Sequence, residues 1–315
     1  EGYQATESGM YPDLLAELNP FGFPLVSGQW RCLWVDVNME ENTPAGAYPI
    51  RIKPSTQEEA LGTAEMTLEV VDAVLPKLPI PHTEWFHSDC LANYYHVAVF
   101  SEEYWRIVEE FVKTAVKHKC TMLLTPVFTP PLDTGVGGER PTVQLVDVTV
   151  TEDGYAFGFE KLRRWVEMAR RCGIQFFEIS HLFSQWGAFA TPKIMATKDG
   201  VYQKIFGWET KASGPEYADF LHQFLTELKQ VLQELDIAKV TYFHISDEPS
   251  MEHLENYRAA LNVVAEDLKE YPIIDALSNY DFYQMGLVKY PVCALDHIGP
   301  FLAHPEHQAR TLAGR

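Results

Sequence analysis

The sequence has no run of about 18 consecutive apolar residues, so a transmembrane helix is not expected. It also opens at Glu1 without a charged region followed by a short apolar one, the pattern of a secretory signal peptide. We therefore expect a soluble chain without membrane insertion. The sequence leaves open whether the compartment is cytoplasmic or secreted.

Cysteine is scarce. The five residues have no C-x-x-C spacing and no metal-type cluster, and their odd number excludes complete internal pairing. We expect these thiols to be reduced and mostly buried: Cys32, Cys90, Cys120, Cys172 and Cys293. His181 and His244 lack the spacing of metal ligands, and His244 lies inside an apolar strand, which favours a hydrogen-bonded core histidine. We predict neither a metal nor a cofactor.

Basic residues are also few, 25 against 44 acidic ones, which gives a formal net charge of −19. This balance argues against nucleic acid or an anionic membrane as a partner and is compatible with a neutral ligand. Aromatic residues make up 13% of the chain. Flat rings suit the apolar faces of sugars, and they suit a large core equally well. The oligomeric state stays open.

A length of 315 residues suggests about two domains. Residues 29–37, 47–52 and 65–71 alternate like strands with no helix between them, which predicts a partial β-sandwich domain over residues 1–78. The proline-rich segment 75–81 then predicts a stiff linker.

From residue 79 to 315 the pattern changes to strand, loop and helix. We predict parallel strands at 83–87, 121–125, 175–179, 240–245, 273–277 and 292–295. We predict helices at 101–119, 158–172, 215–235 and 250–268. The Gly-rich segment 135–140 does not directly follow a strand, so it predicts a flexible loop and no phosphate cradle. We therefore favour an α/β fold of the (β/α)8 barrel type over a doubly wound sheet.

Polar residues follow nearly every predicted strand, where a parallel barrel carries its active site. The candidates for substrate binding are His87, Asp89, His181, Trp186, Asn279, Tyr280 and Asp296, together with Trp208 in a longer excursion. For each of these the plain alternative is a solvated loop, a helix cap or, for Trp208, core packing. The convergence of several strand ends favours a site.

Asp247 and Glu248 are the candidate catalytic residues, since they directly follow a buried strand and precede Pro249. The alternative is that Ser246 or Asp247 caps the next helix. Two adjacent acids repel each other and raise one pKa, which suits a general acid. Many sugar-cleaving barrels have Asn-Glu here. An aspartate in place of that asparagine suits a 2-acetamido sugar, whose amide oxygen can itself attack the anomeric carbon.

The chain resembles glycoside hydrolase family 123, the β-N-acetylgalactosaminidases, and related bacterial barrel proteins of unassigned function. The resemblance rests on FHISDEP at 243–249, EWFHSDCL at 84–91, TPVFTPP at 125–131 and SHLFSQWG at 180–187. It implies a β-sandwich followed by a (β/α)8 barrel and a retaining, substrate-assisted mechanism. Asp247 matches the residue that orients the acetamido group, and Glu248 matches the acid/base.

One departure is that the pattern shows six barrel strands before Arg315, whereas the family has two more. The barrel is therefore expected to be incomplete here or completed from outside. Besides the acetamido-sugar hydrolase, two alternatives stay open. One is a hydrolase of 2-hydroxy hexosides with Glu248 as acid/base and a separate nucleophile. The other is a non-catalytic sugar-binding barrel, which an intact pair of acids disfavours.

Overall fold

The structure is a computed structural model that describes residues 16–19, 21–24, 26–28, 31–40, 42–56, 58–74, 80–303 and 312–313. The chain divides into two compact units, Glu1–Lys77 and Leu78–Arg315. Most of the predicted proline-rich linker, residues 75–79, lies outside the described residues.

The first unit contains an antiparallel hairpin of β1 (Gly46–Ile52) and β2 (Ala64–Val70). Two of the predicted strands are thereby confirmed. The prediction of a strand at 29–37 is wrong for residues 31–37, which are exposed and form no strand; residues 29 and 30 lie outside the described part. An alternating pattern makes a strand only where a neighbour pairs with it. The described residues of this unit show a hairpin and no sandwich.

The second unit is a mixed α/β structure. Its strands are β3 (Met122–Thr125), β4 (Asp147–Thr151), β5 (Gly154–Gly158), β6 (Phe176–Ile179), β7 (Ile194–Lys198), β8 (Val201–Phe206), β9 (Thr241–His244), β10 (Ile273–Leu277), β11 (Tyr290–Cys293) and β12 (Leu312–Ala313). Its helices are α1 (Ser88–Tyr95), α2 (Glu102–Lys117), α3 (Glu160–Cys172), α4 (Pro215–Glu234), α5 (Leu254–Val264), α6 (Tyr280–Gln284) and α7 (Gly299–Leu302).

The main sheet has the order β3-β6-β9-β10-β11-β12, and every neighbouring pair is parallel. Thr83 adds an isolated parallel bridge to Met122, so the first predicted strand is reduced to one bridge. Within the described residues no pairing joins β12 back to the Thr83 segment. The described residues thus form a parallel α/β sheet in which no barrel closure is seen.

A second sheet, with the order β5-β4-β7-β8, has no counterpart in the predictions. The alternation of Val148 and Val150 with polar residues was a usable signal for β4. A single parallel pairing, Thr149 with Thr197, connects its two antiparallel hairpins. Each hairpin joins strands that are adjacent in sequence, and Asp199-Gly200 between β7 and β8 is a local turn signal that the predictions missed. The pairing that joins the two hairpins into one sheet is long-range, and a local pattern does not reveal it.

The helices begin where the sequence provides a start signal. Ser101 caps α2 by accepting a 3.2 Å hydrogen bond from the backbone amide of Tyr104. Pro215 occupies the first turn of α4, where the missing amide hydrogen costs nothing. The buried face of α4 carries Phe220 and Phe224, and burial of such a side chain contributes roughly 1.5–3 kcal/mol. Of these helices, α2 precedes β3 and α4 precedes β9 in the main sheet.

Two expectations about the whole chain have clear outcomes. The five cysteines all lie within the described residues and are free, but only Cys120 and Cys293 are buried, whereas Cys32 and Cys90 are exposed. The expectation of mostly buried thiols is therefore wrong for those two. No helix in the described residues combines the length and the apolar character needed to cross a bilayer.

Candidate active site

A cleft of about 540 Å³ opens beside the pair of acids that follows β9, within the usual size range of ligand sites. It is lined by Trp85, Leu132, Asp133, Thr134, Gly135, Gln185, Trp186, Asp247, Glu248 and Ala276. These residues follow neighbouring parallel strands or lie near their ends. The carboxyl edge of the sheet therefore carries the site, as expected for parallel α/β folds.

Asp247 and Glu248 differ in their exposure. Asp247 is half-buried, and Glu248 is exposed with a φ of 46°, in the left-handed region that non-glycine residues rarely adopt. Such backbone strain is found preferentially at functional sites. Neither Ser246 nor Asp247 has the cap role of the plain alternative, because Ser250 caps the turn Met251–His253 together with the His253 side chain.

Burial, the main cause, and the negative charge of Glu248, the second cause, raise the pKa of Asp247 to about 6. The carboxyl therefore changes its charge close to neutral pH, where catalytic groups commonly work. The sequence predicted that the pair would contain one raised pKa. The structure assigns it to Asp247.

The backbone that carries the acids is tied to the loop after β6. The Trp186 amide donates a 2.9 Å hydrogen bond to the carbonyl of Asp247, and the Gly187 amide donates a 3.2 Å bond to Ser246 Oγ. Ser246 Oγ in turn donates to the carbonyl of Ser184 at 2.8 Å. Trp186, Gly187 and Ala188 all have positive φ, so this is a tight turn. Trp186 is exposed and lines the cleft.

Asp89 and His87 hold the loop that follows β3. Arg140 forms a two-pronged ion pair with Asp89, Nε to Oδ2 at 3.1 Å and Nη2 to Oδ1 at 3.2 Å, and both side chains are nearly buried. His87 Nε2 lies 3.0 Å from Oδ2 of Asp133, which does line the cleft. Burial lowers the pKa of His87, and the charge of Arg140 lowers it further. The structure thus gives Asp89 and His87 the role of loop supports.

A buried layer of rings lies behind the cleft wall. His181 is stacked on His244, with ring centroids 4.2 Å apart, and both rings contact Trp85 at nearly right angles. His181 is fully buried, and neither ring nitrogen has a hydrogen-bond partner in the described residues. Burial lowers its pKa well below the ordinary value, so the ring is neutral. It does not reach the cleft surface.

The remaining sequence candidates lie outside the cleft lining. Trp208 donates a 2.8 Å hydrogen bond to the carbonyl of Gly138, which holds the Gly-rich loop. Asn279 caps α6 by accepting from the Asp281 amide at 2.9 Å. Tyr280 packs its ring edge-on against Phe301. Asp296 is exposed and accepts a 2.9 Å hydrogen bond from its neighbour His297.

Several residues of the site were not predicted. Trp85, Asp133 and Gln185 line the cleft, and Gln185 Nε2 donates to the carbonyls of Pro131 at 3.1 Å and Thr134 at 2.8 Å. Glu178 lies within the buried strand β6 and pairs with His244. An acid inside an apolar strand is the signal that could have indicated it. No group of three possible metal ligands occurs in the part of the chain that the structure describes.

The chain is similar to several known proteins. A family model described as the catalytic domain of glycoside hydrolase 123 matches residues 85–313. Among solved structures, a family 123 glycoside hydrolase from Clostridium perfringens, studied for the details of glycolipid glycan hydrolysis, matches with a TM-score of 0.63 and 17% identity. That match covers 82% of this chain and 46% of the other, so this chain spans about half of that enzyme's length.

A noncanonic maltogenic alpha-amylase, AmyB from Thermotoga neapolitana, matches with a TM-score of 0.29 and 12% identity. That match covers 62% of this chain and 47% of the other, and it carries no argument about function. No curated protein matches the chain.

Proposed function

The chain belongs to glycoside hydrolase family 123, and on this premise we propose that it is a retaining glycosidase that removes terminal β-linked 2-acetamido sugars of the N-acetylgalactosamine type. Family membership supports a carbohydrate substrate. The glycolipid glycans named for the enzyme from Clostridium perfringens make a glycoconjugate a suitable natural substrate.

One observation carries the proposal: Asp247 and Glu248 line the same cleft, and burial holds the pKa of Asp247 at about 6. A half-buried carboxylate beside a sugar ring can accept the amide hydrogen of an acetamido group. It can also stabilise the positive charge that develops on that group when the substrate supplies the nucleophile. The exposed Glu248 is placed to exchange protons with a leaving group and with water.

The proposed reaction has two steps. In the first, the acetamido oxygen attacks the anomeric carbon, the glycosidic bond breaks, and Glu248 donates its proton to the departing oxygen. The amide hydrogen stays on the nitrogen and donates a hydrogen bond to the Asp247 carboxylate, so the intermediate is an oxazolinium ion. In the second step Glu248 removes a proton from water as the water opens the ring at the anomeric carbon. Two inversions at this carbon leave its configuration retained.

The aromatic side chains of the cleft provide the apolar contact that a pyranose ring requires. We assign this role to Trp186 and to Trp85, which both line the cleft. Tyr280 follows β10, the strand next to β9, but its ring packs against Phe301 outside the cleft lining, so we assign it no contact with the acetamido group.

The proposal extends to the architecture. A family 123 catalytic domain and a parallel sheet with its cleft at the carboxyl edge support a (β/α)8 barrel, of which this chain provides β3, β6 and β9 to β12. We propose in addition that the β1–β2 hairpin belongs to a β-sandwich domain over residues 1–78.

Asp133 supports a second candidate. It is the third carboxylate that lines the cleft, and a hydrolase of 2-hydroxy hexosides needs a carboxylate nucleophile besides Glu248. A screen of nitrophenyl glycosides separates the two candidates. The first predicts turnover of 2-acetamido substrates and none of the matching 2-hydroxy substrates, and the second predicts the reverse.

A further inference from the structure

Glu178 is a buried acid that the proposed mechanism does not use. Its side chain is 1% exposed and lies in β6 among apolar neighbours. A buried carboxylate is costly unless hydrogen bonds compensate for the lost water. The hydrogen-bond partners of Glu178 therefore indicate its role.

Three groups bind this one carboxylate, two from the segment before α1 and one from β9. Thr83 Oγ1 donates to Oε2 at 2.7 Å, and the indole Nε1 of Trp85 donates to Oε1 at 2.9 Å. His244 Nε2 pairs with the same Oε1. Glu178 thus joins the segment before α1 to the two strands β6 and β9. Hydrogen bonds to a charged acceptor are the stronger kind.

Trp85 needs such an anchor, because residues 84–87 form no regular secondary structure. Its ring stands nearly perpendicular to His181 and His244, at interplanar angles of 85° and 83°. Contact with the two stacked histidines limits movement of the indole, and the hydrogen bond to Glu178 fixes its rotation. The same ring lines the cleft with Asp247.

We propose that Glu178 is a positioning residue of the active site: its buried carboxylate holds the Trp85 indole as the rigid apolar wall against which the sugar ring packs. That a sugar occupies the cleft rests on the proposed function. That the position of the Trp85 ring depends on Glu178 does not. Rigid aromatic walls strengthen binding because little side-chain freedom is lost when the ligand arrives.

The dependence can be measured without any ligand. The fluorescence of Trp85 is obtained by subtracting the emission of Trp85→Phe from that of the parent. In the Glu178→Gln background it is obtained by subtracting the emission of the double variant from that of Glu178→Gln. We expect acrylamide to quench the Trp85 component about twofold or more strongly in Glu178→Gln. Thr241→Val is the matched control, since it removes a buried 2.8 Å hydrogen bond at the opposite end of β9. It should leave the quenching of Trp85 at the parent value.

Kinetics on an aryl 2-acetamido glycoside then test the role in binding. We expect Glu178→Gln to raise KM about tenfold, the worth of one hydrogen bond to a charged acceptor, with kcat within about threefold of the parent. Trp85→Phe should raise KM similarly, and the double variant should be no worse than Trp85→Phe, because both changes act through one ring.

Unchanged quenching of Trp85 overturns the proposal, as does a double variant whose KM rises by the product of the single effects. A loss confined to kcat overturns it as well. If no 2-acetamido glycoside is turned over by the parent, the proposed function fails, and the quenching comparison still decides the role of Glu178. Should Glu178→Gln not fold, Glu178→Asp replaces it, since the shorter carboxylate cannot reach Trp85 in the same position.

Discussion

The backbone amide of Trp186 donates a 2.9 Å hydrogen bond to the carbonyl oxygen of Asp247. This bond connects the loops that follow the neighbouring strands β6 and β9. One loop presents an aromatic side chain to the cleft and the other presents the two acids. The geometry of the site thus depends on how these two loops are held together.

Replacement of Gly187 by alanine tests that dependence. Gly187 has a φ of +104°, and an added Cβ would lie 2.2 Å from Cβ of His253. We expect Gly187→Ala to lower the free energy of unfolding by about 2–4 kcal/mol and to reduce kcat/KM. Gly200→Ala is the control, because Gly200 also has positive φ but open space around it, and it should cost only about 1–2 kcal/mol. If chemical denaturation gives the same loss of unfolding free energy for both variants, the turn does not need a glycine at position 187 for steric reasons.

Replacement of Glu248 by glutamine tests the acid/base role. We expect turnover of substrates with poor leaving groups to fall about 10²–10⁴-fold, since general acid catalysis is worth that much. Activated aryl glycosides should lose less in the bond-breaking step, because their leaving groups need no proton. Glu252→Gln changes an exposed acid outside the cleft lining and serves as the control. Equal losses on both substrate types argue against the role.

The pH dependence of kcat/KM tests the charge of Asp247. The carboxylate must be ionised to stabilise an oxazolinium ion, and its pKa is about 6. The parent should therefore lose activity as the pH falls through about 6, roughly tenfold for each pH unit below it. Asp247→Asn should still bind ligand, turn over slowly at all pH values, and lack this acid limb. Persistence of the limb in the variant would assign it to another group.

The same raised pKa predicts a change in stability. Below about pH 4 the Asp247 carboxyl is protonated in both the folded and the unfolded chain, so it has no effect. Above its folded pKa of about 6 it is ionised in both, and the folded state bears a cost of up to about 3 kcal/mol. Asp247→Asn should therefore be more stable than the parent at pH 8 and equal to it at pH 4.

Chemical denaturation at the two pH values measures this difference. Asp296→Asn is the control, because a hydrogen bond from His297 lowers the pKa of Asp296 instead of raising it. Loss of this carboxylate should therefore not stabilise the protein at pH 8. A parent that is more stable than Asp247→Asn at pH 8 would contradict the prediction.

The sequence predicted the parts of the fold and site that depend on local signals. The helix that begins after Ser101 and the buried strand that precedes Asp247 both carry such signals, and both are present. The two hairpins of the second sheet were missed although Asp199-Gly200 is a local turn signal between β7 and β8. The pairing of Thr149 with Thr197, which joins the hairpins, is long-range and has no local signal. Residues 31–37 have the alternation of a strand, but no strand in the described part of the chain pairs with them.

Side-chain roles were harder to predict than their location. Asp89 follows the first bridge of the sheet as predicted, but its partner Arg140 is 51 residues away, and this ion pair makes it a loop support. Glu178 meets Thr83 across 95 residues. Such contacts form only when the parallel strands are assembled, so no spacing in the sequence indicates them.

The measurement that tests the central claim most directly is inhibition by a sugar-derived thiazoline, together with a labelling trial using a 2-fluoro glycoside. A thiazoline imitates the bicyclic intermediate that Asp247 and Glu248 would stabilise. It should bind about 10²-fold or more tightly than substrate, and the 2-fluoro glycoside should label no carboxylate. Covalent labelling of Asp133 or any other acid by the 2-fluoro sugar, in an active preparation that the thiazoline does not inhibit, would contradict the account.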